Sequence, residues 1–222
     1  MNLAALGLWL WGTVAGLDLV ALGQFMVGRP LVAGTVAGFI AGDPAAGALL
    51  GMTLELFALD VLPVGAARYP DYGPAAVAGT AAAAGAPGLL GLGPGMAVAL
   101  VVAYLGEWAI QVVRRRNSAD VRRNRPALDA GDPACLRRLQ LRGLLREAVR
   151  AALVTAAGLV MAAAVRRWLP LGVGASVLMG AVGLGVAAAV AAGGALRLSG
   201  QGQARAWFLA GLAAGVLWVA VR

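Results

Sequence analysis

The sequence predicts an all-α polytopic membrane protein: several transmembrane helices, broken or re-entrant helical hairpins and an interfacial amphipathic helix. Three observations predict it. Of the 222 residues, 61% are hydrophobic and 13% charged, where a soluble domain carries about a quarter charged. Apolar runs of about 20 residues, the length that crosses a bilayer, recur along the chain. The charges are segregated: residues 1–113 hold two arginines against six acids, 114–150 eleven arginines against four acids, and 151–222 five arginines and no acid. Such a chain cannot coat a globule with polar surface. That excludes a cytosolic enzyme, a disordered protein and a nucleic-acid-binding domain, and it makes the net charge of +8 a topology signal. The chain reads as one membrane-embedded domain, 1–222, in three stretches: a broken-helix half (1–113), a basic cytoplasmic stretch (114–147) and C-terminal transmembrane helices (148–222).

Residues 3–27 form the first apolar segment. It lacks a positive n-region and is interrupted by Asp18, so it is expected to be retained rather than cleaved. Residues 29–60 differ in kind. They open at Arg29-Pro30, break at Gly42-Asp43-Pro44, and leave two arms of about a dozen residues, each too short to span. This predicts a re-entrant hairpin or broken helix, whose irregular backbone must sit inside protein or beside water. A second broken segment follows at 74–91, with Pro74, Pro87, Gly85, Gly88 and Gly91. Paired interruptions of this kind point to a transporter's substrate site. Glycines four apart (Gly34, Gly38, Gly42; Gly47, Gly51) predict close helix packing in lipid.

The clearest spans are 92–113, 148–168, 171–196 and 204–221. Between them, 114–147 begins Arg114-Arg115-Arg116 and is placed on the cytoplasmic face by the positive-inside rule. That leaves Arg166 and Arg167 outside, in mild conflict with the same rule. Residues 134–150 read as an amphipathic helix lying at the interface. Leu136, Leu139, Leu144 and Leu145 fall on one side, and Arg138, Arg142, Arg146 and Arg150 face headgroups or a cytoplasmic partner. The tryptophans read as interface anchors.

The chain has one cysteine, Cys135, no histidine and no lysine. Zinc sites, histidine acid–base chemistry, Ser-His-Asp triads and a Walker A loop are all unavailable. No cofactor and no metal are expected, and any phosphoryl chemistry belongs to a partner.

Acids inside the membrane are costly, roughly 2.5–3.5 kcal/mol at a helix centre, so each needs a reason. Glu55 lies within Met52-Thr53-Leu54-Glu55-Leu56-Phe57, either as a substrate group or as a structural pair with Arg29 or Arg68. Asp60 ends the same arm. Asp43 sits in a turn where Asp commonly caps the next helix. Arg68-Tyr69-Pro70-Asp71-Tyr72-Gly73 offers guanidinium and carboxylate for sugar hydroxyls and aromatic faces for C–H patches, or else an interfacial belt with a salt bridge. Asp18 and Gln24 fall on roughly opposite helix faces and are weighed separately. The expected substrate-binding set is Glu55, Asp60, Asp71, Gln24 and Arg68.

The order Arg29-Pro30-Leu31, Gly42-Asp43-Pro44, Gly47, Thr53-Leu54-Glu55-Leu56, Gly65, Pro70-Asp71 resembles the membrane subunit IIC of the mannose/fructose/sorbose family of the bacterial phosphotransferase system, most densely over about residues 24–80. The resemblance implies a multi-pass protein of the bacterial inner membrane that pairs with a second membrane subunit, IID, in an oligomeric complex. Together they carry a hexose-type sugar for phosphorylation by a cytoplasmic IIB subunit charged by IIA; this chain itself is no enzyme. At Asp60 and Pro63 the sequence departs from mannose-type members, which leaves the sugar open among hexoses, amino sugars and sugar acids. An ion- or proton-coupled secondary transporter using Glu55 and Asp60, and a non-transporting assembly subunit, are the alternatives.

Overall fold

The computed structural model describes residues 2–19, 21, 23–59, 67–169, 171–198, 206, 207, 209–211 and 213. The described residues contain α1 (Leu3–Asp18), α2 (Pro30–Ala41), α3 (Pro44–Ala58), α4 (Tyr72–Ala83), α5 (Leu89–Arg123), α6 (Arg125–Asp129), α7 (Pro133–Trp168) and α8 (Val173–Leu198). Three of these, α5, α7 and α8, are long and apolar enough to cross a membrane. The expected helix at 204–221 falls largely outside the described residues, as does Asp60.

The hairpin forms as its sequence requires. Pro30 and Pro44 each open a helix where a missing N–H costs nothing. Gly42 closes α2 in the left-handed region (φ 79°), which a glycine enters without penalty. Asp43 then caps α3, accepting the Ala46 N–H at 3.0 Å with one oxygen and the Gly85 N–H at 2.9 Å with the other. These bonds, the Gly85 one foremost, hold its carboxyl below the ordinary carboxylate range. Their stabilisation is therefore present at neutral pH and fades only as pH falls through that lowered value. Asp43→Ala is expected to cost about 1 kcal/mol for the cap, read as a lower midpoint of thermal unfolding in detergent.

The two hairpin legs touch through glycine. A Cβ added to Gly47 would stand 2.7 Å from the Gly38 Cα, and one added to Gly38 would stand 3.0 Å from the Gly47 Cα. The packing predicted from the four-residue spacing is present here, backbone on backbone.

The centre of the bundle is α4. Ten of its twelve residues are buried, and it packs against α1, α2, α3, α5 and α7. Its sequence, Tyr-Gly-Pro-Ala-Ala-Val-Ala-Gly-Thr-Ala-Ala-Ala, is small on every face, which lets five neighbours approach. The interruption expected within 74–91 lies at 84–88, between α4 and α5. It meets the hairpin tip through the Asp43–Gly85 bond.

Residues 3–27 do not form one span. α1 ends at Asp18, and the chain then turns, with Gln24 and Met26 at positive φ. The reason is Asp18 itself. Its carboxylate accepts the Phe25 N–H at 2.7 Å and the Gly28 N–H at 3.1 Å, which folds the following segment back on the helix end. α1 runs with Gly7 against Ile40 near the hairpin tip and Gly16 against Ala151. Its start therefore lies at the end of the bundle away from the basic stretch.

That basic stretch is helical. α5 and α7 have 35 and 36 residues, about 53 Å each at 1.5 Å per residue, well beyond a hydrocarbon core of about 30 Å. They project together, joined by α6. The expected amphipathic helix at 134–150 is the first half of α7, continuous with the 148–168 span. Leu136, Leu145, Arg138 and Arg142 are exposed, as expected. The other two arginines of the stripe turn inward: Arg146 donates to Asp120 (2.7 Å) and Asn117 (2.9 Å) of α5, and Arg150 enters the core. Arg and Leu are good helix formers, and the partner of this surface is another helix.

At the far end, Arg166 donates to the Ala81 carbonyl at 3.0 Å. A cation on the last turn of α4 suits its helix dipole, which explains an arginine on the side the charge rule disfavours. Two tryptophans are pins between helices rather than anchors: the Trp9 indole donates to the Ala152 carbonyl (3.0 Å) and the Trp11 indole to the Ala33 carbonyl (2.9 Å). Trp108, Trp168 and Trp207 are exposed.

Candidate functional site

The open end of the hairpin gathers the polar residues of the first half. The N–H groups of the first helical turn have no partner inside the helix. At α2 one of these, Leu31 N–H, is donated at 3.1 Å to the Glu55 carboxylate from the end of α3. The other Glu55 oxygen pairs with the Arg29 guanidinium. Glu55 thus fastens the two legs where they are furthest from their turn. The Glu55 side chain is 18% exposed and that of Arg29 41%, so the pair is reachable. A carboxylate has about four acceptor positions and a guanidinium five donors; two acceptor positions on Glu55 and most donors on Arg29 remain for a ligand.

Beside Arg29 is a small void of about 50 Å³, lined by Leu19, Gly28, Pro30, Tyr69, Pro70 and Tyr72 among others. It holds a water-sized guest, not a sugar. Its far wall is fixed by Arg114 of α5. That residue donates to the Ala67 carbonyl (2.7 Å) and the Tyr69 hydroxyl (3.0 Å), and its guanidinium carbon stands 5.1 Å from the ring centre. Burial lifts the Tyr69 phenol above its ordinary value against the opposing effect of Arg114, which keeps it protonated.

Behind that wall, Asp71 is 1% exposed. Its N–H donates to the Ala103 carbonyl at 2.9 Å, and its carboxylate pairs with Arg150 of α7. Arg150 also donates to Glu147 at 2.6 Å and to the Gly16 carbonyl at 2.8 Å. One guanidinium so ties α1, the start of α4 and α7 together. Sequence reasoning placed Arg150 on a stripe facing headgroups or a cytoplasmic partner and passed over Glu147. Two signals were available: Arg150 is the last of the stripe, set directly against an apolar run, and six acids against two arginines in residues 1–113 require a cation from elsewhere.

Of the expected set, Glu55 pairs with Arg29, which lines the void together with Tyr69 and Tyr72, and Asp71 is buried on Arg150. Arg68 and Gln24 are exposed. Asp60 lies outside the described residues, as do Pro63 and Gly65. A second, more open cleft of about 460 Å³ lies at the opposite end, between the hairpin tip and Gly85–Gly88. Its one charged side chain, Asp43, has both oxygens taken by backbone N–H groups. Among the described residues no cluster of metal-ligating side chains is present.

Comparison with known proteins gives the family of the chain. Residues 2–207 match the family described as the sorbose-specific IIC component of the phosphotransferase system. The chain is 39% identical over 100 residues to the sorbose-specific EIIC component of Lacticaseibacillus casei, covering 45% of this chain and 35% of that protein. It is 31% identical over 140 residues to the mannose-specific EIIC component of Escherichia coli K12, covering 63% and 52% respectively. The matches to these curated relatives thus span between about a third and a half of their length. Among solved structures, one described as a membrane protein superposes with TM-score 0.73 at 22% identity, over 97% of this chain and 87% of that one. The mannose transporter ManYZ in complex with microcin E492 superposes with TM-score 0.62 at 23% identity, over the same shares. These two establish likeness of fold.

Proposed function

The chain belongs to the sorbose-specific IIC family of the phosphotransferase system, and from that premise we propose that it is the sugar-translocating membrane subunit of a phosphoenolpyruvate-dependent transporter in the bacterial inner membrane. The observation that carries the reading is the Arg29–Glu55 pair, reachable, with spare donors and acceptors, beside tyrosines at the open end of a re-entrant hairpin. In this reading Glu55 and Arg29 receive sugar hydroxyls, with Asp60, Arg68 and Gln24 contributing from the segments around them. Asp71, spent on Arg150, holds the tyrosine wall instead of touching sugar. The void beside Arg29 is smaller than a hexose, so the hairpin end and the Tyr69–Tyr72 wall part to admit it. Buried hydrogen bonds give selectivity because a mismatched sugar strands a polar group away from water.

The partners are those that membership of the family implies: cytoplasmic IIA and IIB subunits for phosphoryl transfer, in keeping with a chain that has no histidine, and a IID membrane subunit that completes the sugar path. Phosphorylation adds charge and traps the sugar inside.

The test is uptake into membrane vesicles carrying the assembled subunits, over a panel of hexoses, amino sugars and sugar acids. Uptake is expected to require phosphoenolpyruvate. Glu55→Gln is expected to weaken apparent sugar affinity by about 10- to 150-fold, the value of one hydrogen bond to a charged group, roughly 1.5–3 kcal/mol. Unchanged affinity in Glu55→Ala would reject the site, and uptake driven by a proton gradient alone would reject the function.

A further inference from the structure

A groove of about 510 Å³ runs between α5 and α7 on the outer surface of the bundle. Trp108 and Val112 form one wall and Leu145, Val149 and Leu153 the other; Arg116 stands at its mouth. Along α5 the groove extends from Leu105 to Arg116, eleven residue steps, about 16 Å at 1.5 Å per step, which accommodates much of an acyl chain. Arg116 is where the apolar run of α5 gives way to Arg114-Arg115-Arg116, the hydrocarbon boundary on the cytoplasmic side.

The charges around this mouth are unequal. Arg146 and Arg150 also reach the groove, but the first is taken by Asp120 and Asn117 and the second by Asp71, Glu147 and Gly16. Arg114 is taken by Ala67 and Tyr69. The Arg116 guanidinium has neither hydrogen bond nor ion pair among the described residues. An unspent guanidinium at the polar end of an apolar groove matches one ligand chemistry: an acyl chain ending in a phosphate, which a guanidinium grips through two parallel hydrogen bonds. Basic pockets between transmembrane helices on this side of the membrane recognise anionic headgroups.

We propose that the α5–α7 groove is a binding site for an anionic phospholipid of the cytoplasmic leaflet, with its acyl chain along Trp108 and Leu153 and its phosphate on Arg116. The test reconstitutes the full chain in phosphatidylcholine vesicles and titrates in phosphatidylglycerol with brominated acyl chains, which quench nearby tryptophan. The Trp108 signal is the difference between the unmodified chain and Trp108→Phe. It is expected to be quenched at a several-fold lower mole fraction of brominated phosphatidylglycerol than of brominated phosphatidylcholine. Added salt is expected to narrow that preference in the unmodified chain, since the headgroup contact is screened. Arg116→Gln is expected to remove the preference, and Arg116→Lys to keep part of it. Equal quenching by the two lipids, or a preference that survives Arg116→Gln, would overturn the proposal. Loss of the quenching when the membrane partner is present would also overturn it and assign the groove to a partner helix.

Discussion

Arg150→Met is expected to destabilise the protein by about 3–5 kcal/mol, the loss that follows when one member of a buried ion group is removed and the others stay. The Arg150 side chain is 3% exposed and that of Asp71 2%. Without the guanidinium, Asp71 and Glu147 would remain charged in the core, and the Gly16 carbonyl would lose its donor. The ties among α1, the start of α4 and α7 would go together. The measurement is thermal unfolding of the purified protein in detergent. A triple variant, Asp71→Asn, Glu147→Gln and Arg150→Met, is expected to recover much of the loss, because it removes the stranded charges along with their partner. A single variant as stable as the unmodified protein would show that these charges are hydrated rather than buried.

The second large effect is expected at the hairpin. Gly47→Ala puts a methyl group 2.7 Å from the Gly38 Cα and 2.9 Å from the Gly38 nitrogen. Both are backbone atoms of the opposing leg and cannot rotate aside, so the legs must separate. Overpacking of this kind costs about 1–3 kcal/mol, and separation also pulls Glu55 from the Leu31 N–H, coupling the lesion to sugar uptake. The contrast is Gly185→Ala on the exposed face of α8, where an added Cβ meets nothing within 4 Å. There the same change is expected to stabilise by about 0.5–1 kcal/mol through lower backbone entropy. If both variants lose stability equally, glycine contact is not what holds the hairpin.

Much of the fold was legible because its signals are local. Pro30, Gly42-Asp43-Pro44 and the arm lengths define the hairpin without reference to any other segment. The apolar runs of α5, α7 and α8 stand out by length and composition. Less legible was α4. A helix of alanine and glycine has no apolar face to read, and its place at the centre follows from the closeness its small side chains permit to five neighbours. The first segment was read too long because an apolar stretch does not reveal that Asp18 turns back on its own chain. The arm of α5 and α7 was read as a loop with a surface helix because a stripe of arginines looks the same whether it faces lipid headgroups or the acids of another helix.

The candidate site divides along the same line. Glu55 was legible as a carboxylate amid apolar residues, and Arg29 as one of its two possible partners. The tyrosine wall beside Arg29 was not, since it depends on Arg114, 45 residues from Tyr69 in sequence.

By itself the sequence determined that this chain lives in a bilayer, where its helices break and which family it resembles, because composition, proline and glycine act within a few residues of where they stand. The tertiary structure alone decided the fate of four carboxylates: Asp18 closes a turn, Asp43 joins two interruptions, Asp71 anchors the core and Glu55 remains reachable. The energy of a charge in a medium without water is set by what lies within hydrogen-bonding distance, and for Asp71 that group is 79 residues away along the chain.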